Sequence, residues 1–398
     1  GNRPTRKTKV LKSKNRSIRV LYSNCRSIRS KLNELKVHLV NLKVKPDILA
    51  FCETWTNSTM TDGELTIPGY SIISRHDRQD TTNGRGGGIL VYVKSDLDAH
   101  EERPKFAIDF NQYSYIKLVI KNRTIKLYTV YRSPNTNHDN DDALDALLRH
   151  ADRDSIFVGD FNYPNIDWKS LTGKTWQEKR FIDTCADMFL TQYVNFKTRE
   201  SNTLDLVLAG DGSSISDVQR AGKLGDSDHD TIEFNIDCSS DDFGPPPTRQ
   251  SVPNFSRADF VSIRQELAGR NWQLDLHHMD ATQSWTHLKN TIQCLTTTYI
   301  PNVLRRNTDR PMWMTGAAAR AVQVKQRRWR SYRAGKIGLS DYIEAEKKSK
   351  KLLRNAKRNF ERKLAKNAKA NPRRFYAYIN RKKKGNKVGP LVDTDGGL

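Results

Sequence analysis

Ile156-Phe157-Val158-Gly159-Asp160-Phe161-Asn162 is a short apolar run that stops at a glycine and then offers a carboxylate and an amide two residues apart. Three consecutive aromatic or β-branched residues suit a buried strand, and side chains two apart at a strand end can share one side. The segment predicts a strand, 156–158, that ends by delivering Asp160 and Asn162. Outward from it the arrangement recurs: a strand over 18–22 leads to Asn24, and one over 48–52 leads directly to Glu53. Further strands are expected over 70–74, 89–93, 115–120, 125–131, 204–208 and 231–236. Leu32, Leu35, Leu39 and Leu42 recur at helical spacing. Helices are also expected over 142–150 and 176–192, the second with Phe181, Ile182, Cys185, Met188 and Phe189 on one face. Many strands with helices inserted predict two packed sheets with helices outside.

Cleavage of a phosphodiester needs a Lewis acid near the phosphate, an activated water and stabilisation of the extra negative charge on phosphorus. Acidic and amide side chains at strand ends suit this, since oxygen ligands prefer Mg²⁺ or Mn²⁺. Five places fit: Asn24, Glu53, Asp160 with Asn162, Asp205, and Asp228 with His229. Taken singly, an Asp or Asn after a strand is a turn residue or a helix cap. Asp205 differs, because a carboxylate inside the apolar run 204–208 needs a partner, and a histidine is the natural candidate.

The 68 Lys+Arg against 45 Asp+Glu give a net charge of +23, which favours polyanionic partners such as nucleic acid or acidic membrane. The excess sits at the two ends. Residues 1–19 hold 8 basic residues and no acid, and residues 311–398 hold 25 against 6, which leaves the middle close to neutral. The centre thus reads as the catalytic part and the ends as electrostatic arms. The five cysteines are scattered and odd in number, with no C-x-x-C pair, which fits a reducing, intracellular compartment and argues against a zinc site or a disulfide framework. No run reaches the ~18 apolar residues of a membrane span, and the polar, basic N-terminus is unlike a secretory signal. The first residue is Gly, so the chain is expected to be a piece of a longer product.

The ordered series Asn24, Glu53, Tyr131, Gly159-Asp160-Phe161-Asn162, Asp205 and Ser227-Asp228-His229 resembles the endonuclease/exonuclease/phosphatase superfamily over about residues 18–238. Flanking features resemble one branch, the apurinic-like endonuclease domain of non-LTR (LINE-like) retrotransposon proteins. These are Cys25-Arg26-Ser27-Ile28, Glu53-Thr54-Trp55, Gly84-Arg85-Gly86-Gly87-Gly88, and Asp167-Trp168 after Asp160-Phe161-Asn162. The resemblance implies an α+β fold: a four-layered α/β sandwich of two mainly antiparallel sheets with outer helices, followed by a basic helical extension. It implies a Mg²⁺-dependent (or Mn²⁺-dependent) endonuclease that nicks DNA to leave 3′-hydroxyl and 5′-phosphate ends for target-primed reverse transcription. Glu53, Asn24 and Asp228 would bind the metal. Asp160 would orient or deprotonate the water, Asn162 would contact the phosphate, and Tyr131 would hold the phosphate or help the leaving oxygen. Asp205 would fix and charge His229, which stabilises the developing charge. Arg26, Arg85 and Arg132 are the candidate DNA contacts. Arg26 stands where apurinic-site enzymes often have an Asp, and Tyr131-Arg132-Ser133-Pro134-Asn135 is one residue longer than the spacing of several relatives.

By composition, 1–17 is a disordered basic arm, 18–238 the catalytic domain, 239–253 a linker and 254–310 a weakly helical connector. Residues 311–398 form a basic helical region, marked by Leu352, Leu353, Ala356, Phe360 and Leu364, that precedes a reverse transcriptase in the intact polyprotein. DNA is the expected substrate, with RNA as a possible partner of that basic region, no membrane partner, and the nucleus as the place of work. Two other readings compete: a phosphatase or sphingomyelinase of the same superfamily, and a catalytically dead nucleic-acid-binding module.

Overall fold

The structure, a computed structural model, describes residues 17–77, 86–103, 110, 112–120, 123–134, 136–210, 213–238, 251–304 and 311–383. Residues 1–16 of the expected arm and 239–250 of the expected linker lie outside the described residues, as does Arg85. The chain divides into two compact units, one of residues 1–244 with 309–398, the other of 245–308.

The first unit begins β1 (Ser17–Asn24), α1 (Ile28–Asn41), β2 (Ile48–Cys52), α2 (Asp62–Leu65), β3 (Tyr70–His76), β4 (Ile89–Lys94), β5 (Asp98–Glu101) and β6 (Tyr113–Ile120). It continues β7 (Arg123–Tyr131), α3 (His138–Leu148), β8 (Ser155–Asp160), α4 (Trp176–Asp187), β9 (Thr191–Gln192), β10 (Asp205–Ala209), β11 (Ile215–Gly222) and β12 (Thr231–Asp237). Two six-stranded sheets result, ordered β11-β12-β1-β2-β4-β3 and β5-β6-β7-β8-β10-β9. Each contains one parallel pair, β1–β2 and β7–β8, among antiparallel neighbours. Parallel neighbours need a crossover, and α1 and α3 supply it.

The inner faces of the sheets meet in a core that includes Val20, Tyr22, Ala50, Val91, Leu127, Val158 and Phe234. On the outer face of the first sheet, Leu32, Leu35 and Leu39 of α1 pack on Leu21, Leu49 and Phe51. On that of the second, Leu144 and Leu147 of α3 and Phe181 of α4 pack on Val130, Phe157 and Leu206. The layers run helix, sheet, sheet, helix: a four-layered α+β sandwich, as expected. Both faces of the central strands are covered, so their sequences are unbroken apolar runs rather than alternating ones. The helix expected over 176–192 ends at Asp187. Phe189 takes a left-handed conformation (φ 53°) that no helix continues through, and its side chain is exposed rather than on the buried face.

The second unit pairs β13 (Ser251–Pro253) with β14 (Asn302–Leu304). Between them run α5 (Phe260–Ala268), α6 (Trp272–Leu276) and α7 (Ala281–Tyr299), capped by the side chains of Asp259, Asn271 and Asp280, which accept first-turn amide hydrogens. The chain then returns to the first unit with α8 (Gly316–Arg333), α9 (Leu339–Lys366) and α10 (Pro372–Lys383). Here the basic helices do not stand apart from the sandwich. Val37 of α1 is buried among Trp313, Ala318, Val322, Leu353 and Ala356, so α8 and α9 cover the face of α1 that the sheet leaves open. No described helix is long and apolar enough to cross a membrane.

Candidate active site

Topology gathers the polar residues at one end of the sandwich. Parallel neighbours finish together, so Asn24 at the end of β1 pairs in register with Cys52, beside Glu53. Tyr131 at the end of β7 likewise pairs with Asp160 at the end of β8. Antiparallel β10 starts at that same end, with Asp205 opposite Asp160. Antiparallel β12 also starts there, and the turn before it carries Asp228 and His229. Gly159 is needed in β8 because a Cβ would run into the backbone of Val130 on β7.

A hydrogen-bonded chain runs through the buried floor. The Tyr22 hydroxyl donates to Asp205 Oδ1 (3.0 Å), and His229 Nδ1 donates to Asp205 Oδ2 (2.7 Å). The other imidazole nitrogen, Nε2, lies 3.9 Å from Asp160 Oδ2. Asp160 in turn accepts from Asn24 Nδ2 (2.8 Å), and the same amide reaches Glu53 Oε1 (3.1 Å). Burial pulls the His229 imidazolium down, but the adjacent Asp205 and the nearby Asp160 outweigh it and push it up to about 9. Burial and then the Asp205 charge push Asp160 up to about 7, against the pull of His229 and the Asn24 amide. Tyr131 is buried beside Glu53 and Asp160, and burial together with those charges keeps its phenol protonated.

Several residues here hold left-handed backbone without being glycine: Arg26 (φ 39°), Ser27 (φ 79°), Glu53 (φ 49°), Trp55 (φ 53°) and Asn162 (φ 51°). Such conformations cost roughly 1–3 kcal/mol each and persist where the surroundings impose them. Around Glu53 the surroundings are Gly87 and Gly88, whose carbonyls accept from Trp55 N (3.1 Å) and Thr54 N (3.2 Å). A Cβ on Gly88, itself at φ 88°, would stand 2.5 Å from Thr54 Oγ1. The glycine run thus lets one backbone lie against another, and Glu53 is aimed by the contact.

The turn 223–230 is held residue by residue. Lys325 Nζ of α8 donates to the Gly225 carbonyl (2.7 Å) and pairs with Glu34 of α1 (2.5 Å), both buried. Asp226 is pinned between Lys31 (3.0 Å) and Lys350 (3.3 Å). The Ser227 hydroxyl donates to the Asn24 carbonyl (2.7 Å). Asp228 Oδ2 meets both Arg26 (2.8 Å) and Arg199 (2.9 Å). Burial alone would raise this carboxyl, but the His229, Arg26 and Arg199 charges hold it below the usual range. Asp230 receives Trp329 Nε1 (2.8 Å) and ion pairs from Arg333 (3.1 Å) and Arg220 (3.1 Å).

Asn24, Glu53, Asp160, Asp205 and His229 are thus brought together, with Tyr131 beside them. Asn162 lies next to Asp160, but its Nδ2 is spent on the Arg132 carbonyl (2.7 Å). Arg26 is exposed at the rim. Arg132 is a correction: expected to touch DNA, it is buried in a two-bond pairing with Asp141 (2.6 and 3.2 Å) and lies 4.1 Å over the Tyr163 ring. Its charge is consumed inside the fold. Tyr22, Arg199 and Trp329 were not expected at this end of the sandwich. Tyr22 was detectable in principle, as the one hydroxyl-bearing side chain on the inward face of β1, whereas Arg199 and Trp329 sit in sequence contexts that carry no motif.

Asp160, Asp205 and His229 bring ligand-type atoms within 4.8 Å of one another. Both Asp205 oxygens are already engaged, so this trio reads as a proton-holding chain and not as a cation cage. The better cation donors are Asn24 Oδ1, which is buried with no hydrogen-bond partner among the described residues, and the adjoining Glu53 carboxylate. Glu53 accepts from Asn24 (3.1 Å) and Trp55 (3.3 Å) but, unlike Asp205, is only partly buried. Asp228 Oδ1 is likewise without a partner. An all-oxygen set of this kind fits Mg²⁺ or Mn²⁺ and does not suit a soft metal.

Residues 125–233 match the family described as Endonuclease-reverse transcriptase. Among curated proteins nothing matches. Of solved structures, the chain is similar to the endonuclease domain of TRAS1, a telomere-specific non-LTR retrotransposon, at 17% identity and TM-score 0.45, covering 56% of this chain and 99% of that one. It is similar to the AP endonuclease LMAP from Leishmania major at 17% identity and TM-score 0.45, covering 56% and 88%. A 3′-5′ exonuclease, NExo, from Neisseria meningitidis is similar at 16% identity and TM-score 0.43, covering 55% and 100%. The family match runs from β7 to β12, the stretch that brings Tyr131, Asp160, Asp205 and His229 to one end of the sandwich, and over those residues the chain is similar to that Endonuclease-reverse transcriptase family.

Proposed function

We propose that the chain is a divalent-metal-dependent endonuclease that nicks DNA and leaves 3′-hydroxyl and 5′-phosphate ends. In this reading it works in the nucleus as the nuclease part of a retrotransposon polyprotein whose reverse transcriptase extends the new 3′-hydroxyl. The observation that carries the reading is the buried Tyr22–Asp205–His229 chain, which aims an imidazole at Asp160 across 3.9 Å beside the Asn24–Glu53 pair. When bound by Glu53 and Asn24, with Asp228 near, Mg²⁺ or Mn²⁺ would supply Lewis-acid polarisation of the phosphate. Asp160 orients the attacking water and accepts its proton. His229, held charged by Asp205, donates a hydrogen bond to the oxyanion that develops on phosphorus. Tyr131, protonated beside them, steadies a phosphate oxygen or the departing one. The basic helices α8 and α9, fixed to the same unit, favour a polyanionic substrate over a small phosphoester.

Purified protein with Mg²⁺ is expected to convert supercoiled plasmid to the open circle. Asp160→Ala and His229→Ala should each slow nicking by at least ~100-fold without changing the circular dichroism spectrum. Undiminished nicking by both variants would overturn the proposal, and end-labelling of the nicks would test the chemistry of the termini.

A further inference from the structure

Between α1 and α9 lies a groove of about 570 Å³ whose lining includes Gly225 and Asp226. Asp226 is two residues before Asp228, and α1 starts four residues after Asn24, so the groove opens beside the candidate active site. Its α1 wall is Ser30, Lys31, Asn33 and Glu34. Of the lining carboxylates, Glu34 is paired with Lys325, Asp226 with Lys31 and Lys350, and Glu361 accepts from Tyr378. Its α9 wall presents Lys350, Arg354, Lys357 and Arg358, which recur at steps of four, three and one and so occupy one helix face. Arg354 and Arg358 are exposed and make no ion pair among the described residues.

A basic helix face is commonly just a solvated surface, but this one is held in place. α9 is anchored through Ala356 and through Leu353, which also lines the groove, in the cluster around Val37. α8, its packing partner, is locked to α1 by the buried Lys325–Glu34 pair and to the catalytic turn by Lys325 on the Gly225 carbonyl and Trp329 on Asp230. The backbone that carries these cations is therefore fixed relative to the α1 wall, which lowers the cost of bringing several of them to one ligand. Spaced cations along one wall match a chain of phosphodiesters, and Leu353, the single apolar side chain of the lining, is too little to seat a base or a lipid tail.

We propose that this groove seats the phosphate backbone of duplex DNA flanking the cleaved bond, with Arg354, Lys357 and Arg358 as the contacts. The inference rests on the endonuclease reading, and its test separates the two. Full-length protein is titrated, without divalent metal, against a fluorescein-labelled duplex of about 30 base pairs, with anisotropy followed over a range of salt. One variant carries Arg354→Gln, Lys357→Gln and Arg358→Gln. A control with the same charge change carries Lys348→Gln, Lys363→Gln and Lys366→Gln on the opposite face of α9.

The groove variant should weaken binding by about 10-fold or more near 0.1 M salt and lower the slope of log affinity against log salt by about 2 to 3, one contact accounting for ~0.9. It should raise the KM of nicking, while the control binds and nicks like the parent and both keep the parent's melting temperature. Equal losses in the two variants would overturn the proposal, because bulk charge would then be responsible. A groove-dependent loss on an RNA hairpin but not on the duplex would overturn it in favour of RNA. Groove-dependent duplex binding by a protein that never nicks would leave the groove standing and remove the endonuclease reading. Nicking unaffected by the groove variant would do the reverse.

Discussion

His229 holds its proton to higher pH than Asp160 does, and Asp205 raises both, although burial is the larger cause at Asp160. Asp205 holds the His229 imidazolium up to about 9 and, with burial, pushes Asp160 up to about 7. Asp160 must be deprotonated to take a proton from water, so activity falls as the pH drops through about 7, or lower once a bound cation draws that carboxyl down. His229 must stay protonated to donate, so activity falls as the pH rises through about 9. The rate of nicking should therefore be bell-shaped, with its plateau near pH 8. Asp205→Asn removes the charge that sustains both limbs. Burial then dominates at His229 and pulls the alkaline limb down by a unit or more, and the acid limb follows because Asp160 loses a like-charged neighbour. At pH 8 the rate should drop by roughly 100-fold. A pH profile of kcat/KM for the two proteins decides this, and an unshifted alkaline limb would take the Asp205–His229 pair out of the chemistry.

Helix α8 shows how an element remote in sequence governs the catalytic turn. Lys325 and Glu34 are 1% and 5% exposed and stand 2.5 Å apart, and Lys325 also holds the Gly225 carbonyl. Removing one partner of a buried ion pair strands the other charge, at a cost of about 3–5 kcal/mol, whereas replacing both with apolar groups is often neutral. Lys325→Met should accordingly destabilise the fold by about that amount in urea melts, and adding Glu34→Leu should recover most of the loss. Purely additive losses would mean that the pair is not coupled. The pair also marks where the sequence stops being legible. β1, β2, β7, β8 and α1 could be read because burial on both faces of a strand, or one face of a helix, leaves a local apolar pattern. The same logic made Asn24, Glu53, Asp160 and Asp205 visible as polar residues terminating or interrupting apolar runs. β5 and β11 could not be read, since they are edge strands whose residues are largely polar and half exposed, without a periodic signal. Arg132 misled because its partner, Asp141, comes from α3 and nothing local announces the pairing. The contacts of Lys325 with Glu34 and of Trp329 with Asp230 span 291 and 99 residues, a distance over which no pattern in one sequence carries information.

At the scale of the molecule, the unequal charge distribution and the packing have one explanation. The centre of the chain is near neutral because it must fold into a buried sandwich, and the cations are concentrated in helices that the chain brings back onto that sandwich after an intervening unit. Composition alone suggested arms attached to a finished domain, whereas the first unit is finished only when α8 and α9 are in place. Without them Val37 loses the apolar cover of Trp313, Ala318, Val322, Leu353 and Ala356. Glu34 loses its only ion pair among the described residues, and Asp230, which follows His229, keeps only Arg220 of its three side-chain partners. A chain ending at Gly244 should therefore melt at least ~10 °C below the full-length protein, since 1 kcal/mol is worth roughly 2–4 °C for a domain of 150–250 residues and several such contributions are lost together. Its nicking should fall as well, and the loss should persist at low salt, where weakened DNA attraction is compensated but a displaced His229 is not. Differential scanning calorimetry and nicking rates at two ionic strengths test the two halves of this expectation. A truncated chain that melts with the full-length protein and regains full activity at low salt would make the helices an accessory for binding alone. A lower melting temperature with a salt-insensitive defect would make them part of the catalytic fold.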